Sequence, residues 1–173
     1  MKKNLPQGLS LKEKRYIVPP NVDFSDGNGT ATAGRVYLSL FDIRCPILAD
    51  QISLVNGTTA AGNITVGIYG PLITEDTCFN SPLAANSAST AQAGTSRVQN
   101  IPLTSNTLLG TGRYYVAIEF SSASATYLQQ LAITTFLTSQ RYDRSGGYGA
   151  LTDPCPVITS ITQVPLLVIR NIL

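Results

Sequence analysis

Histidine is absent from this 173-residue chain, and so is tryptophan. Without an imidazole, neither a histidine-based catalytic triad nor a histidine-containing metal site can be built. Cysteine is scarce too. Cys45, Cys78 and Cys155 lie far apart with no C-x-x-C pair, which argues against zinc. A disulfide between Cys78 and Cys155 is open to the chain, since both stand in loop-like surroundings. Buried thiols are the expectation for a protein made in a reducing compartment. No cofactor is expected.

Charge is the next shortage. Asp, Glu, Lys and Arg make up only 13% of the residues, against roughly 25% in ordinary soluble domains. Ser, Thr, Asn, Gly and Ala take their place. A surface with few ions loses little hydration on contact, so burial against a partner or a second copy is expected. The few charges are also unevenly placed. All four lysines, Lys2, Lys3, Lys12 and Lys14, precede Arg15, with Glu13 alone opposing them. Residues 1–15 thus carry +4 and the rest −2. A lysine-free body offers no basic stripe, which argues against nucleic acid as a partner.

Long apolar runs are missing as well. The start has a positive beginning, but residues 12–15 interrupt any apolar core of an export signal. The stretch from Pro165 to Ile169 is too short to cross a bilayer as a helix. Synthesis in the cytoplasm and no membrane partner are the expectations.

Residues 1–22 show no sustained period of two or 3.6, and Pro19-Pro20 closes them. Leu9, Leu11 and Tyr16 among the cations make this segment a candidate attachment arm. Lys2, Lys3, Leu9, Leu11, Lys12, Lys14, Arg15 and Tyr16 are its expected contact residues. Residues 23–173 are the expected folded domain.

Within that domain, turn signals punctuate short alternating runs. Asp26-Gly27-Asn28-Gly29 predicts a turn, because Asn and Gly tolerate positive φ. Val36, Leu38 and Leu40 alternate with Tyr37, Ser39 and Phe41, which predicts a strand buried on much of both faces. Gln51–Val55 is the next predicted strand. Ile64, Val66 and Ile68 alternate with Thr65, Gly67 and Tyr69. Residues 71–97 are rich in Ser, Ala, Thr and Asn and predict a long loop, with room for short strands. Arg97–Leu103 reads as a strand ended by a turn at Ser105-Asn106. Tyr114, Val116, Ile118 and Phe120 give the clearest alternation. Residues 127–137 read as a strand with a short helix as the alternative, and 164–172 as an apolar closing strand. Strands at this spacing with Gly/Asn turns indicate an all-β sandwich or barrel.

The search for catalytic groups yields little, and a non-enzymatic role is expected. Glu119 is expected to pair with Arg113 or Tyr115 on its own strand rather than act as an acid. Three glycosylation sequons, at Asn28, Asn56 and Asn63, read as turn and strand residues. The stretch Arg141-Tyr142-Asp143-Arg144, with Tyr148 after three intervening residues, is the richest in recognition chemistry. Tyrosines, arginines and an aspartate on a glycine-bearing loop suit a sugar or a protein partner. A solvated hairpin loop with its tyrosines lying on the domain is the competing reading.

The order of segments resembles a jelly-roll-like antiparallel β-sandwich found in bacteriophage virion proteins of tail, fibre and head-attached type. The resemblance rests on Thr32–Leu38, Ile52–Val55, Ile64–Tyr69, Gly112–Ala117, Gly149–Leu151 with Pro154, and Val164–Leu166. It spans roughly residues 30–173 and defines no site residues. It implies a virion structural protein, oligomeric, made in the host cytoplasm and held by the arm to capsid or tail proteins. A decoration, adaptor or tail/fibre component fits a single domain behind a short arm. The alternative it leaves open is a carbohydrate- or host-receptor-binding module using the Tyr142–Tyr148 loop.

Overall fold

The computed structural model describes residues 15–17, 22–73, 77–132, 139–144, 146–161 and 163–173. Among these residues there are fourteen strands and no helix. In order they are β1 (Arg15–Ile17), β2 (Val22–Thr30), β3 (Arg35–Ile43), β4 (Ile47–Val55) and β5 (Asn63–Tyr69). Then come β6 (Leu83–Asn86), β7 (Thr90–Ala91), β8 (Val98–Leu109), β9 (Gly112–Phe120) and β10 (Thr126–Ala132). The chain closes with β11 (Ser139–Asp143), β12 (Thr159–Ser160), β13 (Gln163–Pro165) and β14 (Leu167–Asn171).

Every pairing among the described residues is antiparallel. One layer is the sheet β12-β11-β3-β9-β5-β6, with β7 also on β5. The facing layer is built from β1-β14-β4-β8 and β13-β10-β2. Leu166 alone separates β13 from β14, so the last segment passes from one of these sheets to the other. The bridge between Asn56 and Tyr127 joins them again. The molecule is therefore the all-β sandwich its alternation predicts.

The alternating residues divide as their period requires. Tyr37, Phe41, Ile64, Val66, Ile68, Val116, Ile118 and Phe120 point into the main core. There they meet Ile52, Leu54, Ile101, Leu167 and Ile169 of the facing layer. Val36, Leu38, Leu40, Tyr69, Tyr115 and Ala117 point the other way, into a second core. Chain segments from the 71–82 and 150–158 regions roof that second core with Leu72, Cys78, Leu151, Cys155 and Ile158. Each fully buried aliphatic or aromatic side chain contributes roughly 1.5–3 kcal/mol. The sheet that carries the candidate site is thus apolar on both faces, and its loops are anchored from below.

Two expected turns are strands. Residues 26–29 continue β2, in which residues 25–27 face the single residue Gln129 of β10, between the pairs Leu128–Asn28 and Gln130–Phe24. Ser105 and Asn106 likewise lie inside β8, where 103–106 bulge opposite Asp50. Both sites carry residues that let the backbone kink. A partner strand continues past each kink, so the kink becomes a bulge rather than a reversal.

Of the expected arm, residues 1–22, the structure describes residues 15–17 and 22. Residues 15–17 form the outermost strand of their sheet, with Arg15 opposite Asn171, Tyr16 opposite Arg170 and Ile17 opposite Ile169. Main-chain pairing with the otherwise open edge of β14 accounts for their place there. Lys2, Lys3, Leu9, Leu11, Lys12 and Lys14 lie outside the described residues, as does 133–138 with the helical alternative for that stretch.

Candidate functional site

The 141–149 segment lies along the edge of the large sheet, over the second core. Its residues are held one by one. Tyr142 belongs to β11 and pairs with Val36 of β3, not to a loop. Its ring is buried, and its hydroxyl lies 2.8 Å from that of Tyr69. The Tyr69 hydroxyl donates to the carbonyl of Thr152 at 2.7 Å, which leaves Tyr142 as the donor between the two rings. Burial pushes both phenols above their ordinary range.

Asp143 points outward and accepts two hydrogen bonds from Arg35, at 2.6 Å to Nε and 3.3 Å to Nη2. The forked guanidinium holds the Asp143 carboxyl below its usual value, outweighing partial desolvation. Arg141 is half-buried on β11, opposite Tyr37 and Thr159.

Arg144 turns inward to Glu119. The expected partner Arg113 stands six residues along the same strand, about 20 Å away by the rise of a strand. The guanidinium arrives from the loop instead, at 3.2 and 3.4 Å from the two carboxylate oxygens. The amide of Gly149 donates a further bond at 3.3 Å. Glu119 is wholly buried and the Arg144 side chain is 20% exposed. Desolvation raises the Glu119 carboxyl above its ordinary value, while Gly149 and Arg144 pull it partway back.

Gly34 makes the loop's approach possible. Its φ is +74°, and a Cβ there would sit 3.0 Å from the Cα of Gly147. The Gly34 carbonyl accepts the amide of Arg144 at 3.0 Å.

Tyr148 completes the set. Its hydroxyl lies 2.7 Å from Thr65 Oγ1 on β5 and 2.8 Å from Ser89 Oγ. One phenol thus ties the 144–149 loop to the sheet and to the 87–90 connection. Tyr148→Phe should cost roughly 1 kcal/mol of stability. Amide exchange at 146–149 should quicken while the β9 amides stay protected. Unchanged exchange in the loop would mean that this tether carries nothing.

No family model and no curated protein matches the chain.

The loop therefore faces its own domain. The residues expected to contact a ligand are brought together, but Tyr142, Arg144 and Tyr148 bind protein groups instead of presenting themselves. A stacking surface made of Tyr142 and Tyr148 is not available, because one ring is buried and both hydroxyls are engaged. A cleft of about 400 Å³ lies here, bordered by Tyr142, Asp143, Arg144, Gly146, Thr152 and Pro156. Among the described residues, no three metal-ligating side chains gather.

A second polar cluster is one that sequence reasoning missed. Asn56 is buried, and its Nδ2 donates to the Ala93 carbonyl at 2.7 Å and to Gln99 Oε1 at 3.0 Å. Gln92 Nε2 donates to Asn56 Oδ1 and to the Thr126 carbonyl. Together Asn56, Gln92 and Gln99 fasten the 91–97 connection to the sandwich. Asn56 of the Asn56-Gly57-Thr58 sequon is thus an interior hydrogen-bond centre. No local pattern announces it, because its three members lie on separate segments.

Proposed function

We propose that this chain is a non-enzymatic structural protein of a bacteriophage particle, a decoration, adaptor or tail/fibre component. The observation that carries this reading is the separation of charge from fold. Every lysine lies ahead of residue 15, and a lysine-free sandwich follows. Such a chain grips its assembly with the basic front and displays the domain. Residues 15–17, which follow that front in the chain, pair with β14.

Further support comes from the domain's surface. Ile73 and Phe79, on the 71–81 connection, are 70% and 44% exposed. Val157, on the neighbouring 150–158 connection, is 75% exposed. Exposed apolar side chains of this kind suit contact with neighbouring copies in an oligomer. The jelly-roll-like resemblance supplies the particle context. The carbohydrate- or receptor-binding alternative keeps the cleft that Tyr142, Asp143 and Arg144 border.

Deletion of residues 1–14 tests the proposal, since it leaves β1 and the sandwich intact. The truncated chain should melt within a few degrees of the full one, yet its incorporation into particles should fall at least tenfold. Undiminished incorporation would overturn the role of the front segment.

A further inference from the structure

Cys78 and Cys155 come from distant parts of the chain and meet in the roof of the second core. Ser81 N–H donates to the Cys78 carbonyl at 2.9 Å and closes a tight turn, with Asn80 at φ +61°. Asn80 N–H donates to the Cys155 carbonyl, and Cys155 N–H to the Ser81 carbonyl, both at 2.9 Å. This two-bond clasp fixes the backbone of Cys155 against the turn that begins at Cys78. The amide of Cys78 is itself held by Gln140 Oε1 at 3.3 Å. Both side chains are fully buried in one apolar cluster, and Cys155 is among the groups that act on the Cys78 thiol. Cys45, in contrast, is exposed and apart from them.

The geometry points to Cys78 and Cys155 as an oxidation site, at which a small-molecule disulfide converts the two thiols into an intramolecular cross-link. In the first step one cysteine thiolate attacks oxidised glutathione, forming a mixed disulfide and releasing one reduced glutathione. The second cysteine thiolate then attacks the protein sulfur and releases the other glutathione. The protein loses two electrons and two protons, and one oxidised glutathione becomes two reduced molecules. Burial sets the pace. The Cys78 thiol is pushed well above its ordinary value, chiefly by desolvation, so attack waits on opening of the 78–81 turn. The product staples two connections that otherwise meet only through hydrogen bonds and side-chain packing.

Preorganised backbones make the cross-link a gain for the folded state. It shortens a long loop in the unfolded chain, so the oxidised protein should melt roughly 5–15 °C higher. This inference does not depend on the particle role. It adds to that role a consequence, since a protein made in a reducing cytoplasm would acquire the staple on release into an oxidising medium.

The test uses full-length protein carrying Cys45→Ser, which removes the exposed competitor. The protein is incubated over a series of oxidised-to-reduced glutathione ratios, alkylated under denaturing conditions and digested without reduction. The expected result is a mass lower by two hydrogens, a peptide joining Cys78 to Cys155, and a raised melting point that dithiothreitol reverses. Adding Cys78→Ala should abolish all three changes. If that double variant does not fold, the peptide mass from the single variant decides alone. Full alkylation of both cysteines at every ratio, glutathione adducts that never resolve, or only intermolecular dimers would each overturn the inference. Because the readout is on isolated protein, these failures are distinct from a failure of particle incorporation.

Discussion

Arg144→Ala should destabilise the domain by about 3–5 kcal/mol, the usual cost of stripping the partner from a buried charge. For a chain of this size that is a fall in melting temperature on the order of 10 °C. The cost is large because Glu119 has no solvent to turn to. Its carboxylate is fully buried and retains only the Gly149 amide once the guanidinium is gone. The Gly149 amide itself belongs to the loop that Arg144 helps to hold, so that bond weakens as well.

The deficit should depend on pH, and its sign is fixed by the direction of the shift. Burial already holds the Glu119 carboxyl above its ordinary value. Loss of Arg144 raises it further. A carboxyl that binds its proton more tightly folded than unfolded loses stability as pH rises through its folded value. It regains stability as pH falls toward its unfolded value. The gap between Arg144→Ala and wild type should therefore narrow between pH 7.5 and pH 5. Adding Glu119→Gln should recover part of the loss at pH 7.5, since the buried charge goes with it. Thermal melts of the four proteins at both pH values measure this. A deficit independent of pH and unrelieved by Glu119→Gln would show that Arg144 acts by packing alone.

The Arg144–Glu119 contact also marks where sequence reasoning stops. Alternation over β3, β5 and β9 is legible because each strand's two faces meet different cores, and apolar side chains record both. The all-β architecture follows from those runs. What the runs do not record is which loop returns over which face. Glu119 shows a charge on a strand without showing the arginine that reaches it from twenty-five residues further on. Tyr142 and Tyr148 carry the same chemistry whether they face solvent or their own domain. The pairing of Tyr142 with Val36 on β3, and for Tyr148 the closeness of Gly34 to Gly147, decide that they are drawn inward. Turn signals fail for a related reason. Asp26-Gly27 and Ser105-Asn106 encode a kink, while the presence of a partner strand beyond it determines whether the chain reverses or bulges. The sequence leaves Cys78 and Cys155 open as a pair, and the clasp that aligns them is a long-range hydrogen-bond pattern that spacing cannot reveal.

Gly29→Val is the other substitution expected to cost several kcal/mol, and its cause is space rather than backbone freedom. Gly29 continues β2 directly opposite Tyr127 of β10. It is not among the residues with positive φ, so a side chain is sterically tolerable to its own backbone. A Cβ at this position, however, would stand 2.5 Å from Tyr127 Cε2 and 2.6 Å from Gln129 Nε2. The tyrosine ring lies on the glycine, as aromatics do across strands where no side chain competes. It cannot swing away cheaply. Tyr127 is stacked on Phe120 at 5.5 Å and meets Tyr37 edge-on at 5.5 Å, and all three rings are buried in the main core. Gly29→Ala should cost about 1–3 kcal/mol as an overpacked core, and Gly29→Val more. Gly110→Ala is the matched control, because a Cβ there meets nothing within 4 Å, and it should be neutral within about 0.5 kcal/mol. In a Tyr127→Leu background the cost of Gly29→Ala should shrink by at least about 1 kcal/mol, since the two changes share one volume. Urea unfolding of the set measures it. Additive costs at positions 29 and 127 would place the strain elsewhere and leave the glycine without its reason.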